Sequence, residues 1–415
     1  MRELIYILIA SVLIGCSKPK PSGYQDKISY FTGENMEVYL ASESDYEKNI
    51  RLYNINEVEV DKIKAELTKQ PKVNNKTWYK TGYQYKKTFD FNTSKLKSGI
   101  YYFETSSPFV IKNPKKKNDV LMVYPSNTVN AYNKNGGRST YTNPMGVKLS
   151  RRRPTQLMRQ GVEFWKWLPE QNFNVDYIAD EDLDDYSNIK NYKVIIISGH
   201  NEYWTRQGRR NFDKYINDGG NALILSGNTM WKQVRYEDDK VICYNQYQND
   251  SLFHDSLRTS NYGLSYLKYP IESSIGLNFI KGGYGIQKDN GWDGYKIVEE
   301  SILLENTNLI KGDVLSVPSE ECDGADLIFE NNKVTIDTNF INFYRQKLIG
   351  YDKGFRLGET NPAFIVFKKT KNSGIVINVG SNTWCLHGFK GEDEKLVKQI
   401  TTNCINALLK NKKLF

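Results

Sequence analysis

Histidine is nearly missing from this sequence, at three residues in 415. Zinc and iron centres built on imidazole need two or three such side chains, so a histidine-rich metal site is disfavoured from the outset. Cysteine is also sparse, at five residues. One of them, Cys16, sits near the N-terminus. The other four (Cys243, Cys322, Cys385 and Cys404) allow three disulfide pairings, and no spacing selects among them. The apolar run at residues 4–15 is too short to cross a bilayer stably. There is no internal repeat and no low-complexity tract. The net charge of +9 comes from scattered lysines rather than a basic patch. The one local run, Lys115-Lys116-Lys117 beside Pro114, reads as a solvated linker, and no aromatic-basic module for nucleic acid accompanies it. Tyrosine, by contrast, is abundant, at 29 residues.

The N-terminus carries its own message. A charged start, the apolar run and Leu13-Ile14-Gly15 ahead of Cys16 read as a secretory signal over residues 1–15. The Cys16 context resembles a bacterial lipobox, which implies lipidation of Cys16 and an exported protein anchored to a bacterial membrane. Residues 16–23 then read as a flexible tether.

Residues 24–113 alternate apolar and polar positions in short runs broken by Asn, Gly and Ser. This pattern predicts a small all-β, immunoglobulin-like sandwich with an accessory role. After a basic linker, residues 118–415 change character. Residues 120–123, 194–197, 222–225 and 375–379 are continuous apolar runs, as strands buried on both faces should be, and residues 175–178 form a further strand. Helical patterns occupy residues 154–168, 206–217 and 393–409. Such alternation predicts an α/β fold with a doubly wound, mostly parallel sheet, of the glutamine-amidotransferase or flavodoxin-like three-layer kind. Residues 235–370 read as an insertion covering one edge.

In open α/β sheets, ligands collect beyond the carboxyl ends of the strands. Three loops leave such ends. The first, residues 124–153, lacks a helical or strand pattern and contains Ala131-Tyr132-Asn133 and Gly136-Gly137-Arg138-Ser139-Thr140-Tyr141. The second is Gly199-His200-Asn201-Glu202-Tyr203-Trp204, and the third is Ser226-Gly227-Asn228-Thr229. Taken in order, with Arg153-Pro154, Val175-Asp176-Tyr177, Asp180-Glu181-Asp182-Leu183, Gly219-Gly220-Asn221 and Glu321-Cys322-Asp323-Gly324, these motifs resemble the family defined by the C-terminal region of the large N,N-dimethylformamidase chain.

The resemblance implies a mononuclear iron, in the ferric state, held by Tyr132, Tyr141 and Glu202. It places His200 in proton transfer and, through the Glu-Cys-Asp-Gly motif, Glu321 as a second carboxylate acting as base; Asn228, in the neighbouring loop, is the candidate amide donor to a developing oxyanion. The implied reaction is hydrolysis of a small or N-substituted amide to a carboxylic acid and an amine. Two phenolates and a carboxylate match the charge of a ferric ion, and hard oxygen donors suit a hard cation. The family's small-subunit partner is not encoded in this chain. The rival reading is a lipid-anchored binding or accessory protein that keeps the fold without turnover. The two are separated by whether Tyr132, Tyr141 and Glu202 converge. His254 and His387 have no motif around them.

Overall fold

The computed structural model describes residues 22–415, apart from residues 116–117, 245, 253, 264, 286–293 and 318. The expected leader, Cys16 and most of the tether lie outside the described residues. Residues 24–112 form two β-sheets. A five-stranded sheet runs in the order Ser29–Phe31, Phe109–Lys112, Gly99–Phe103, Tyr46–Asn54, Glu59–Leu67, and a three-stranded one joins Tyr24–Gln25, Asn35–Tyr39 and Phe89–Asn92. Alternate residues such as Met36 and Val38, or Ile50 and Leu52, point into the core between them, as period-two patterning requires.

The rest of the chain is organised by a nine-stranded sheet. Its strands are β1 (Val120–Tyr124), β2 (Val175–Ala179), β3 (Val194–Gly199), β4 (Asn221–Ser226), β5 (Tyr295–Ile297), β6 (Val314–Leu315), β7 (Arg345–Tyr351), β8 (Ala363–Lys368) and β9 (Ile375–Asn378). They lie in the order β2-β1-β3-β4-β9-β8-β7-β5-β6. Pairing is parallel from β2 to β9 and antiparallel from β9 to β6. This corrects the expectation of a doubly wound, mostly parallel, flavodoxin-like sheet. The sheet is mixed, smaller mixed and antiparallel sheets accompany it, and strand outweighs helix at 33% against 22%.

The physical reason lies in residues 235–370, which are no mere edge insertion. They supply β5 to β8, half-hidden in the sequence because β5 and β6 are very short. Residues 369–374, between β8 and β9, cannot make a crossover, which takes about a dozen residues or more, so those two strands must pair as a hairpin.

Helices cover both faces of the sheet. On one face, Phe164 and Trp165 of α2 (Arg159–Trp167) and Val397, Ile400 and Cys404 of α4 (Glu394–Leu409) pack on Val120, Met122, Val194 and Ile196. On the other, Phe212 and Ile216 of α3 (Arg206–Asn217) meet Leu121, Val123, Ile195 and Ile197. Helix α3 starts where Thr205 Oγ1 accepts from Gly208 N at 2.9 Å. The predicted helix at 154–168 starts later, at Arg159. Its first residues are held extended by other partners, since Thr155 N donates to Ser107 Oγ at 2.7 Å. The loop after β1 contains the unforeseen short helix α1 (Ser126–Tyr132). The Asp180 carboxylate accepts from Asn127 N at 3.0 Å, satisfying one of the helix's first backbone donors, and from the Ser126 hydroxyl. The four cysteines Cys243, Cys322, Cys385 and Cys404 are buried and free.

The connection between the N-terminal strands Glu59–Leu67 and Phe89–Asn92 presses on this loop at Gly136 and Gly137. Both have positive φ, +81° and +106°, and a Cβ on Gly137 would lie 1.8 Å from the Asn75 carbonyl oxygen. Only a residue without a side chain allows that approach. Gly137→Ala is therefore expected to destabilise the protein by more than about 1 kcal/mol, read as a lower denaturant midpoint at unchanged slope.

Candidate functional site

The carboxyl ends of β1, β3 and β4 deliver the candidate side chains to one place. Tyr132 is the last residue of α1, and Tyr141 follows in the same connection. His200 and Glu202 leave β3, and Asn228 leaves β4. Glu321 comes from outside the parallel strands, on the short strand Glu321–Gly324, which pairs with Gly283–Tyr284.

All six residues converge. The Tyr132 hydroxyl lies 3.1 Å from Glu202 Oε2, the Tyr141 hydroxyl lies 3.0 Å from the same oxygen, and the two hydroxyls are 3.0 Å apart. His200 Nε2 is 2.9 Å from the Tyr132 hydroxyl, 3.5 Å from Glu202 Oε2 and 3.4 Å from Glu321 Oε2. Its Nδ1 faces the Gly227 carbonyl at 3.1 Å. A carbonyl can only accept, so the proton of a neutral ring sits on Nδ1 and leaves Nε2 open towards the cluster. Asn228 Nδ2 donates to Glu321 Oε2 at 2.9 Å. Asn228 thereby commits one amide hydrogen to orienting the second carboxylate.

Burial dominates the electrostatics. It pushes the Glu202 carboxyl up to about 6, with the nearby Glu321 adding to the effect and His200 opposing it. Burial, then Glu202, raises both the Tyr132 and Tyr141 phenols well above the ordinary tyrosine range. The two residues keep 37% and 52% of their surface exposed, while their hydroxyls point inward among acidic groups. Left to itself, the protein holds these phenols protonated. A hard, highly charged cation is the species that would offset both the burial and the mutual repulsion.

The donor set fits such an ion. Oxygens bonded at about 2 Å to one metal sit about 3 Å from each other, which is the spacing found. Among the described residues no group of three or more His, Cys, Asp and Glu gathers to hold a metal, so a metal here would rest on phenol oxygen. Tyr132, His200 and Glu321 open onto a cleft of about 610 Å³, which gives a ligand access.

Several supporting residues escaped the sequence reasoning. Thr128 Oγ1 accepts from Glu202 N at 3.0 Å and from Tyr203 N at 3.3 Å, pinning the second loop to α1. The fully buried Tyr203 hydroxyl lies 3.2 Å from that of Tyr141. Asp323 shares a strand face with Glu321, since residues two apart point the same way. Its Oδ2 accepts from Thr229 N at 3.1 Å, and burial pushes its carboxyl up to about 7. Together the two acids grip the turn after β4, where Asn228 and Met230 hold positive φ of 53° and 56°. The motif Glu-Cys-Asp-Gly offered the signal, through its two acids at a spacing of two.

Most consequential is Arg153, which is wholly buried. Its guanidinium donates to the carbonyls of Asn130, Asn133, Asn135, Arg138 and Ser150 at 2.8–3.1 Å, and to Asn130 Oδ1 at 2.6 Å. The loop carrying both phenols is folded around it. Arg153→Met would strand these acceptors without donors. A loss of at least about 3 kcal/mol is expected, together with displacement of Tyr141 that a crystal structure of the variant would display.

Comparison with known proteins places this geometry in context. The N,N-dimethylformamidase beta subunit of Alcaligenes sp is 30% identical over 76 residues, covering 18% of this chain and 10% of that protein. The matched stretch is thus about a tenth of that relative's length. Among solved structures, the β-galactosidase of Rahnella sp. R3 aligns over 71% of this chain and 32% of its own, at 11% identity and a TM-score of 0.37. A ThuA-like protein from Bacteroides uniformis ATCC 8492 aligns over 72% of this chain and 96% of its own, at 14% identity and a TM-score of 0.32. Likenesses this low carry no argument about fold or activity. The family model described as N,N-dimethylformamidase beta subunit-like, C-terminal, matches residues 52–390 and so takes in part of the N-terminal sheets as well as the cluster. This chain belongs to that family.

Proposed function

We propose that this protein is an iron-dependent hydrolase that cleaves a small or N-substituted amide to a carboxylic acid and an amine. The observation that carries the reading is the meeting of two phenol oxygens and one carboxylate within 3.3 Å of one another, beside a histidine and a second carboxylate.

Tyr132, Tyr141 and Glu202 would hold the metal. When bound, a ferric ion supplies Lewis acidity, which polarises a carbonyl and acidifies a water. The remaining chemistry belongs to the chain. As a water oxygen adds to the amide carbon, Glu321 Oε2 takes the water's proton, with Asn228 holding the carboxylate in place. His200 Nε2, 3.4 Å from that oxygen, relays the proton to the amide nitrogen, and the carbon–nitrogen bond breaks. The Gly227 carbonyl fixes the ring orientation throughout. The second donor on the Asn228 amide remains for the developing oxyanion.

Protein produced with iron supplied is expected to carry one iron per chain and, in the ferric state, a visible phenolate-to-metal charge-transfer band. Tyr132→Phe and Tyr141→Phe should each weaken or abolish both. Glu321→Gln should keep iron and colour while lowering kcat on a cleaved amide by about a hundredfold or more. A colourless protein that takes up no iron under these conditions would overturn the reading.

A further inference from the structure

The cleft beside the acid cluster is larger than a small amide requires. Its volume of about 610 Å³ falls in the range of roughly 300–1,000 Å³ that encloses drug-sized ligands. Leu157 and Met158 supply apolar wall, and Lys134, Gln156 and Arg159 line the same space. A substrate that fills it must extend well beyond the scissile bond.

The charges along the cleft are not equally available. Glu320 is engaged through both oxygens, by the Arg159 guanidinium and by Gln160 Nε2 at 3.4 Å. Glu321 is engaged by Asn228 and faces His200. Arg159 is already paired with Glu320. Lys134 is exposed, and among the described residues it has no ion pair. The uncommitted charge of the cleft wall is therefore positive, while the acid cluster that opens onto the same space is rich in carboxyl groups.

Resting on the amide-hydrolase reading of this site, we propose that the substrate is an amide bearing a carboxylate remote from the scissile bond, and that Lys134 receives that carboxylate. The arrangement orients the ligand by attraction and repulsion together. Glu321, which lines the cleft, repels the anionic end, Lys134 draws it, and the amide is left facing Tyr132 and His200. A neutral amide leaves Lys134 unused, and an ammonium in the carboxylate's place would meet the Lys134 charge.

The test uses the full chain loaded with iron. N-formyl derivatives of glycine, β-alanine and 4-aminobutyrate are compared with N-alkylformamides of matched length. The expected result is that at least one acid exceeds its neutral match in kcat/KM by about two- to fivefold, the range of an exposed ion pair, with the gain residing in KM. In Lys134→Glu the ratio of acid to neutral should fall to one or below. Calorimetry on the metal-free protein provides a readout independent of turnover, in which the preferred acid binds and Lys134→Glu weakens it at least as much. Neutral amides cleaved as well as every acid, or a preference that survives Lys134→Glu, would overturn the proposal. Failure of the hydrolase reading shows separately, as no turnover on either member of any pair. The metal-free binding measurement then still decides for or against the carboxylate preference.

Discussion

A single buried guanidinium organises the region on which everything else depends. Residues 133–153 contain too few apolar side chains to fold around a core of their own, and their backbone carbonyls need donors once water is excluded. Arg153 supplies those donors from one rigid planar group, gathering carbonyls from Asn130 to Ser150. Gly136 and Gly137 complete the fit by letting this loop press against the backbone of residues 75–79. The N-terminal region, through this connection between its strands, thus buttresses the loop that carries both phenols, and the family match begins within that region.

The loop's stability is spent on an arrangement that is locally unfavourable. Two phenols and two carboxyl groups crowd around His200, and their burial disfavours ionisation of the phenols and Glu202. A protein selected for stability alone would not gather like acids in this way. Such conflict between local cost and retained geometry is what functional sites display. The supports are distributed across elements: Thr128 ties α1 to the loop after β3, and Asp323 ties the turn after β4 to the strand of Glu321.

The parallel half of the central sheet was readable because its strands are buried on both faces and announce themselves as unbroken apolar runs. β1, β3 and β4 are buried at every position. The antiparallel half was not. β5 and β6 span only three and two residues, below any detectable periodicity, and β7 begins with partly exposed positions. The same shortness hid α1, whose start depends on Asp180, a residue more than forty positions away.

The sequence by itself determined the kinds of residue at the site and the family to which the chain belongs. Tyr132, Tyr141, His200, Glu202, Asn228 and Glu321 stand in motifs whose order along the chain is local information. Tertiary structure alone decided the direction of the strand pairings, the partner that Asn228's amide serves, and the central place of Arg153. Those outcomes depend on contacts between segments far apart in the chain. Such contacts form only where close packing brings unsatisfied polar groups together, and no window of neighbouring residues contains that constraint.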